Sequence, residues 1–477
     1  MCKGMLKSHL IKLLTENFDY EPTESQKRLI SSLSSFITSY EQKQVLLVKG
    51  YAGTGKTTLV SSLVKSLDQC NLRYVLLAPT GRAAKVLSAY SRRPAFTIHK
   101  KIYIQKSTRE GMGIFVLERN LHSKTFFIVD EASMITNQAQ ELNIFGSGRL
   151  LDDLLEYVYN NKNCRLIMIG DTAQLPPVGL DMSPALDRNV LEQHNITVSE
   201  CHLTDVIRQS LDSGILYNAT GIREILDKQI FDFPAVRTKG YDDVIPLSGS
   251  DLLEELSRAY DHYGLDGTIV VTRSNKRANK YNQGIRNQIL GREEEIARGD
   301  FLMVVRNNYF WLDENQMTDF IANGDIAEIM RIHKYQDLYG FRFADVTLRF
   351  PDYQNMQVAC KIMLDTLNIE AAALGQEEGK ALYQAILEDF PDIKSKRKQY
   401  EKVREHPFFN ALQVKFAYAV TCHKAQGGQW ETVFIDQGYI TDHMLNVEYL
   451  RWLYTAFTRA TKKLYLINFA SRYFNDV

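Results

Sequence analysis

The residues with the clearest chemical grammar are Gly50-Tyr51-Ala52-Gly53-Thr54-Gly55-Lys56-Thr57, which match G-x-x-x-x-G-K-[ST] at every fixed position. The spacing has a physical reason. Glycines let consecutive backbone N–H groups curl around a phosphate, a helix starting at the loop's end adds partial positive charge, and the lysine ammonium reaches the outer phosphates. Gly53, Thr54, Gly55, Lys56, Thr57 and Thr58 are therefore candidates for cradling the phosphates of ATP, with the Thr57 hydroxyl as a ligand for Mg²⁺.

Two acids at the end of an apolar run supply the other half of that chemistry. In Phe126-Phe127-Ile128-Val129-Asp130-Glu131, Asp130 can face the metal and Glu131 the water that attacks the terminal phosphate. Such a pair can also cap a helix. With the phosphate loop upstream, hydrolysis is the better reading than nucleotide binding alone. Gln26 stays open between two roles: with Thr23 it has the spacing of a capping box, and its amide, upstream of the loop, could also read the adenine edge.

These groups need strands to hold them. Residues 44–49, 74–78, 126–129 and 165–169 are short apolar runs without alternation, the pattern of strands covered on both faces in a parallel sheet. Leu59, Val60, Leu63, Val64 and Leu67 follow the first run at helical spacing. The polar segment 100–124, with Gly111 and Gly113, interrupts this rhythm and reads as a small hairpin excursion. From about residue 206 a second α/β pattern begins; it includes TIVVTRS (268–274) and resumes at VKFAYAVTCHKAQG and KKLYLINF. Between these parts, 296–410 is mostly strand-like, with Asn323-Gly324 as a hairpin signal, and a charged helical piece at 367–405. The expectation is two α/β units, each interrupted by an insertion.

Composition bounds the rest. At 477 residues the chain has room for about three domains. Its 57 Lys plus Arg balance 57 Asp plus Glu, and 45% hydrophobic with 24% charged residues excludes disordered, collagen-like and histone-like classes. Six scattered cysteines without a C-x-x-C pair argue against zinc, iron–sulfur and disulfide frameworks. No apolar run approaches the ~18 residues of a membrane span, and no secretion signal is recognisable, so a cytoplasmic protein is expected.

What the hydrolysis would drive depends on residues outside the loop. Ala78-Pro79-Thr80-Gly81-Arg82-Ala83-Ala84-Lys85 follows the second run, Thr97-Ile98-His99 comes soon after, and Gly170-Asp171-Thr172-Ala173-Gln174-Leu175-Pro176-Pro177 ends the fourth. The second half carries Leu203-Thr204-Asp205-Val206-Ile207-Arg208-Gln209, Thr421-Cys422-His423-Lys424-Ala425-Gln426-Gly427 and Tyr454-Thr455-Ala456-Phe457-Thr458-Arg459. In this order the blocks resemble the motif series of superfamily 1 DNA helicases, specifically the 5′→3′ branch that includes RecD and Dda, from Gln26 to Arg459.

The resemblance implies two tandem RecA-like domains with ATP in the cleft. Residues 1–204 would form the first, with a wedge insertion at 100–124; 205–295 and 411–477 the second, interrupted by an SH3-like insertion at 296–410. It implies adenine contact by Gln26, metal and base roles for Asp130 and Glu131, a γ-phosphate sensor in Gln174, and arginine fingers in Arg208 and Arg459. It further implies single-stranded DNA contact by Pro79, Thr80, Arg82, Thr97, His99, Thr421, His423 and Gln426. The expected activity is an ATP- and Mg²⁺-dependent motor moving 5′→3′ on single strands and opening duplex at single-strand/duplex junctions, in repair, recombination or replication. The alternatives are a motor subunit of a RecBCD-like exodeoxyribonuclease complex, working with nuclease or repair partners, and a DNA-stimulated remodelling ATPase that does not unwind.

Local charge agrees with a polyanion partner. Residues 71–125 hold eleven Lys or Arg against two Glu, and 273–286 hold five basic residues and no acid.

Overall fold

The computed structural model describes residues 2–18, 20–107, 113–138, 146–161, 163–205, 212–229, 233–312 and 320–474. The apolar runs of the first half form a six-stranded sheet. Its strands are β1 (Gln44–Gly50), β2 (Arg73–Ala78), β3 (Ala95–Thr97), β6 (Thr125–Val129), β7 (Arg165–Gly170) and β8 (Thr197–Leu203). They lie in the order β3-β2-β6-β7-β1-β8, and every pairing is parallel.

Why the runs lack alternation is visible in the packing. Val45 and Leu47 of β1, Val75 and Leu77 of β2, Phe127 and Val129 of β6 and Leu166 and Met168 of β7 enter one core. Their neighbours Leu46, Val48, Leu76, Ala78, Phe126, Ile128, Ile167 and Ile169 enter the other, together with Leu59, Val60, Leu63, Val64 and Leu67 of the helix Lys56–Gln69. With period-two side chains and helices on both faces, neither side can be polar.

Between β3 and β6, residues 98–102 form a short helix, and β4 (Tyr103–Ser107) pairs antiparallel with β5 (Gly113–Leu117). The expected excursion is thus a hairpin behind a helical turn; its tip, 108–112, lies outside the described residues.

The second half contains β9 (Val244–Leu247) and β10 (Thr268–Thr272), then a closed barrel of β11 (Phe301–Val304), β12 (Ile326–Leu338), β13 (Phe341–Phe350), β14 (Met356–Met363) and β15 (Leu412–Phe416). After it come β16 (Ala419–Thr421), β17 (Trp430–Asp436) and β18 (Ala460–Ile467), which join β9 and β10 in a parallel sheet ordered β16-β10-β17-β18-β9. One face of that sheet shares its core with the barrel, through Val270 and Phe434 beside Leu302, Val304 and Val346. The other face, with Ile269, Val271, Val433 and Ile435, packs against the helices Gly214–Lys228 and Val447–Phe457.

Two expectations need correction. VKFAYAV does not belong wholly to the second sheet: Leu412–Phe416 closes the barrel against β11, so the expected boundary at residue 410 falls one strand early. The two-residue hairpin turn is Tyr339-Gly340, both at positive φ (57° and 76°) between β12 and β13. Asn323-Gly324 instead sits at the end of the longer connection from β11 to β12, where Gly324 has φ 99°.

Among the described residues no helix is long and apolar enough to cross a membrane.

Candidate nucleotide and strand-binding site

The phosphate loop lies between β1 and the helix Lys56–Gln69, at the C-terminal edge of the first sheet. Gly53 and Gly55 have φ 74° and 84°, a region that side-chain-bearing residues avoid. Lys56 Nζ donates to the Gly50 and Tyr51 carbonyls at 2.7 and 2.8 Å and stands 3.6 Å from the fully buried Asp171 carboxylate. Thr57 is exposed and Thr58 half-buried in the first helical turn.

Gln26 fulfils the capping reading. Its Oε1 accepts from the Thr23 N–H at 2.9 Å while Thr23 Oγ1 accepts from its own N–H. Its Nε2 donates to the Thr54 carbonyl at 3.0 Å. Both ends of the amide are thereby engaged, and they tie the helix Glu24–Ile37 to the phosphate loop.

Asp130 and Glu131 follow β6 on the same sheet edge. Asp130 Oδ1 accepts the Glu131 N–H at 2.9 Å, and Oδ2 accepts from the Tyr90 hydroxyl. Glu131 sits at φ 52°, a strained conformation for a side-chain-bearing residue. Burial first, then the charges of Asp130 and Asp171, raise its pKa, while Arg459 and Lys56 oppose the rise. A carboxyl moved upward in this way suits a proton acceptor.

Gln174 is buried; its Oε1 has no hydrogen-bond donor among the described residues. Arg208 lies outside the described residues. Arg459 is buried and committed to its own half: Nε donates to the Thr455 carbonyl, Nη1 to the Gly428 carbonyl and Nη2 to Thr458 Oγ1, at 3.0, 3.0 and 3.1 Å. Its charge is felt at Glu131, but one donor of each guanidinium nitrogen is engaged within the second half, at Thr455, Gly428 and Thr458, which departs from a freely extended finger.

The two halves meet across this edge. Tyr454 Oη accepts the Ala52 N–H and donates to Asp171 Oδ2, both at 2.8 Å. Thr455 Oγ1 accepts the Leu175 N–H at 2.9 Å, and Gln426 Nε2 donates to the Leu175 carbonyl at 2.6 Å. Gln426, expected at the DNA, is therefore buried in the seam between the halves. Asp171 and Tyr454 were not among the sequence candidates. Asp171 had a signal, an acid directly after an apolar strand as at Asp130; Tyr454 lies in a helix whose partner is more than 400 residues away.

The remaining strand-binding candidates gather on the neighbouring side. Pro79 and Thr80 are half-buried, and Thr80 caps the helix Gly81–Ser91 through the Ala83 N–H at 3.2 Å. Gly427, at φ 72°, comes so near that an added Cβ would lie 3.2 Å from Thr80 Oγ1, so the first- and second-half blocks adjoin. Thr97 is a buried cap that accepts the Lys100 N–H at 3.2 Å. His99 packs beside Tyr103 and Phe320, and burial lowers its pKa to about 4, so it is neutral. Thr421 makes no capping hydrogen bond, and burial lowers the pKa of the half-buried His423 against the pull of Glu448.

Arg82 departs from expectation. Its guanidinium lies 3.9 Å over the Trp430 ring and donates to the Gln429 carbonyl, a contact between the halves. The second basic cluster is also largely neutralised: Lys276 pairs with Glu370, Arg277 with Asp436 and Arg286 with Asp300.

A family model described as an AAA domain matches residues 23–224, and one described as a UvrD-like helicase C-terminal domain matches residues 416–467. The chain is 25% identical to the ATP-dependent DNA helicase dda of Enterobacteria phage T4, over 93% of this chain and 99% of that one. It is 29% identical to the ATP-dependent RecD2 DNA helicase of Deinococcus radiodurans, over 42% of this chain and 25% of the other. The crystal structure of Pif1 helicase from Bacteroides in complex with ADP-AlF3 and ssDNA is similar over 96% of this chain and 95% of that one, at 16% identity and TM-score 0.45.

Proposed function

From a chain that belongs to the superfamily 1 helicases of the RecD and Dda type, we propose an ATP-dependent motor that moves 5′→3′ on single-stranded DNA and separates duplex ahead of it, in the cytoplasm. The observation that carries the reading is the seam at the phosphate loop: Tyr454 of the second half bonds both Ala52 of the loop and Asp171 beside Lys56. Anything that rearranges the loop must be felt by the second half.

In this reading the two parallel sheets are RecA-like domains, the hairpin at 103–117 is the wedge and the barrel is the SH3-like insertion. Thr57 and Asp130 offer hard oxygen donors, the set Mg²⁺ prefers, and that ion would neutralise charge on the transferred phosphate. Lys56 exchanges its loop carbonyls for phosphate oxygens, Glu131 takes the proton of the attacking water, and Gln174 senses the terminal phosphate. Arg459 and Arg208 stabilise the charge that develops as the cleft tightens. Gln26 reaches adenine by releasing one of its present partners. Pro79, Thr80, His99, Thr421 and His423 face the strand, and Thr97 reaches it by way of the turn it caps; Arg82 and Gln426 act at the seam that changes as grip alternates.

The test is strand separation on duplexes with one single-stranded tail. A 5′ tail supports unwinding, a 3′ tail does not, and Lys56→Ala removes it; unwinding from 3′ tails alone, or by Lys56→Ala, sinks the proposal.

A further inference from the structure

We infer that Arg223 is a positioning residue that ties the phosphate loop to the second half of the molecule through the ring of Tyr51. The inference rests on the motor reading and concerns a pair outside the motif blocks' assigned roles.

Tyr51 serves three partners at once. Its carbonyl accepts from Lys56 Nζ and from Thr54 Oγ1, each at 2.8 Å. Its ring lies beneath the Arg223 guanidinium, 4.6 Å from the ring centroid. One residue of the loop therefore has its main chain on the catalytic lysine and its side chain on the other half.

Among the described residues Arg223 is poorly paired elsewhere. Its side chain is only 13% exposed, its Nε is buried without an acceptor among the described residues, and its ion pair with Asp227 is a long 4.0 Å. Burying a guanidinium with so little compensation is costly, and the attraction between a cation and an aromatic face grows as water is excluded. The ring of Tyr51 is thus the main feature holding the Arg223 head group in place.

The helix that carries Arg223, Gly214–Lys228, is well anchored. Its Ile215, Ala219 and Ile222 share a core with Leu450, Leu453 and Tyr454 of the helix Val447–Phe457, and Tyr51 and Ala52 pack against that same core. Phosphates that Lys56 binds compete with the Tyr51 carbonyl for its ammonium. Nucleotide entry then alters Tyr51, and the Arg223 contact passes the change to a helix that moves with Tyr454.

The experiment uses the full-length protein with one fluorophore on each half, reading the distance change that an ATP analogue causes, beside DNA-stimulated ATPase. Arg223→Met, Arg223→Lys, Tyr51→Leu and the Met/Leu double variant are compared. Arg223→Met is expected to bind nucleotide within about twofold of wild type, to lose most of the distance change, and to lower kcat by about 5- to 20-fold, with KM for ATP moving far less. Arg223→Lys recovers part of the loss because it keeps the cation. Tyr51→Leu reproduces the lost distance change, and the double variant is no worse than the more affected single.

A wild-type distance change in Arg223→Met overturns the inference. So does an Arg223→Met defect that Tyr51→Leu does not share, or losses that multiply in the double variant. If Arg223→Met does not fold, Arg223→Lys against Tyr51→Leu carries the same criteria. Failure of the motor reading appears separately, as a wild-type protein that closes on the analogue and never separates strands.

Discussion

The two halves contribute to the proposed nucleotide site in different ways. The first half brings a contiguous loop and two strand ends: Gly53 and Gly55 at positive φ, Lys56 on loop carbonyls, Asp130, Glu131 and Asp171 after β6 and β7. The second half brings side chains from scattered elements, each already bonded: Arg459 to its own turn, Tyr454 to Ala52 and Asp171, Gln426 and Thr455 to Leu175. The contrast suggests a division of labour in which chemistry is local and coupling is long-range. Substitutions in the first half should stop turnover; those in the second, Arg208 and Arg459 apart, should disconnect it from DNA.

The strongest challenge to that division is Glu131→Gln, which keeps shape and hydrogen bonding but not the proton acceptor. Turnover should fall by about 10²–10⁴-fold while nucleotide affinity stays near wild type. A loss below tenfold would move the base elsewhere. On the other side of the seam, Tyr454→Phe leaves the Ala52 N–H without its acceptor and Asp171 Oδ2 without its hydroxyl donor, the Ala173 N–H still serving Oδ1. DNA-stimulated turnover should drop by about tenfold, the kinetic equivalent of one to two lost hydrogen bonds. If DNA-free and DNA-stimulated rates fall together, Tyr454 belongs to the chemistry and the division is wrong.

The same division decides what could be read from the sequence. The phosphate loop, the apolar strands and the acids after β6 are local, since each is fixed by neighbours within a few residues. Leu59 to Leu67 announce a helix face because helical period and burial coincide. Arg82, Gln426 and Arg459 were legible as residues of a motif but not as contacts. Their partners, Trp430, Leu175 and Gly428, come from elsewhere in the fold. The basic run 273–286 misleads for the same reason, because Asp300, Glu370 and Asp436, which neutralise it, are distant in sequence or on other elements. The closing strand at 412–416 was hidden because VKFAYAV is apolar in either sheet, and only pairing with β11 assigns it.

A smaller effect sharpens the reading of Arg82. If its guanidinium serves Trp430 rather than a phosphate, Arg82→Met should cost about 0.5–2 kcal/mol of stability. The salt dependence of single-strand binding should stay unchanged. A phosphate contact would lower the slope of log K against log salt by about 0.7. A slope reduced by that amount returns Arg82 to the strand.

The finest test lies where the barrel meets the first half. Gly81 abuts the barrel so closely that a Cβ there would lie 2.8 Å from Asp325 Oδ1, and Tyr353 donates to both Asp325 oxygens at 3.0 Å. Burial, helped by nearby Asp352, raises the Asp325 pKa from 3.8 to about 7 against the Ala322 N–H and the Tyr353 hydroxyl, which favour the anion. The folded protein thus binds this proton more tightly than the unfolded chain does. Its contribution to stability is complete below about pH 4 and is lost as pH rises through 7. Between pH 6 and 8 the loss at this site should be about 1 kcal/mol, seen as a falling urea midpoint. Asp325→Asn, which cannot ionise and can still accept from Tyr353, should flatten that portion of the profile. An unchanged slope would mean that Asp325 is ionised throughout and that the seam between barrel and first half is not sensitive to pH at this carboxyl.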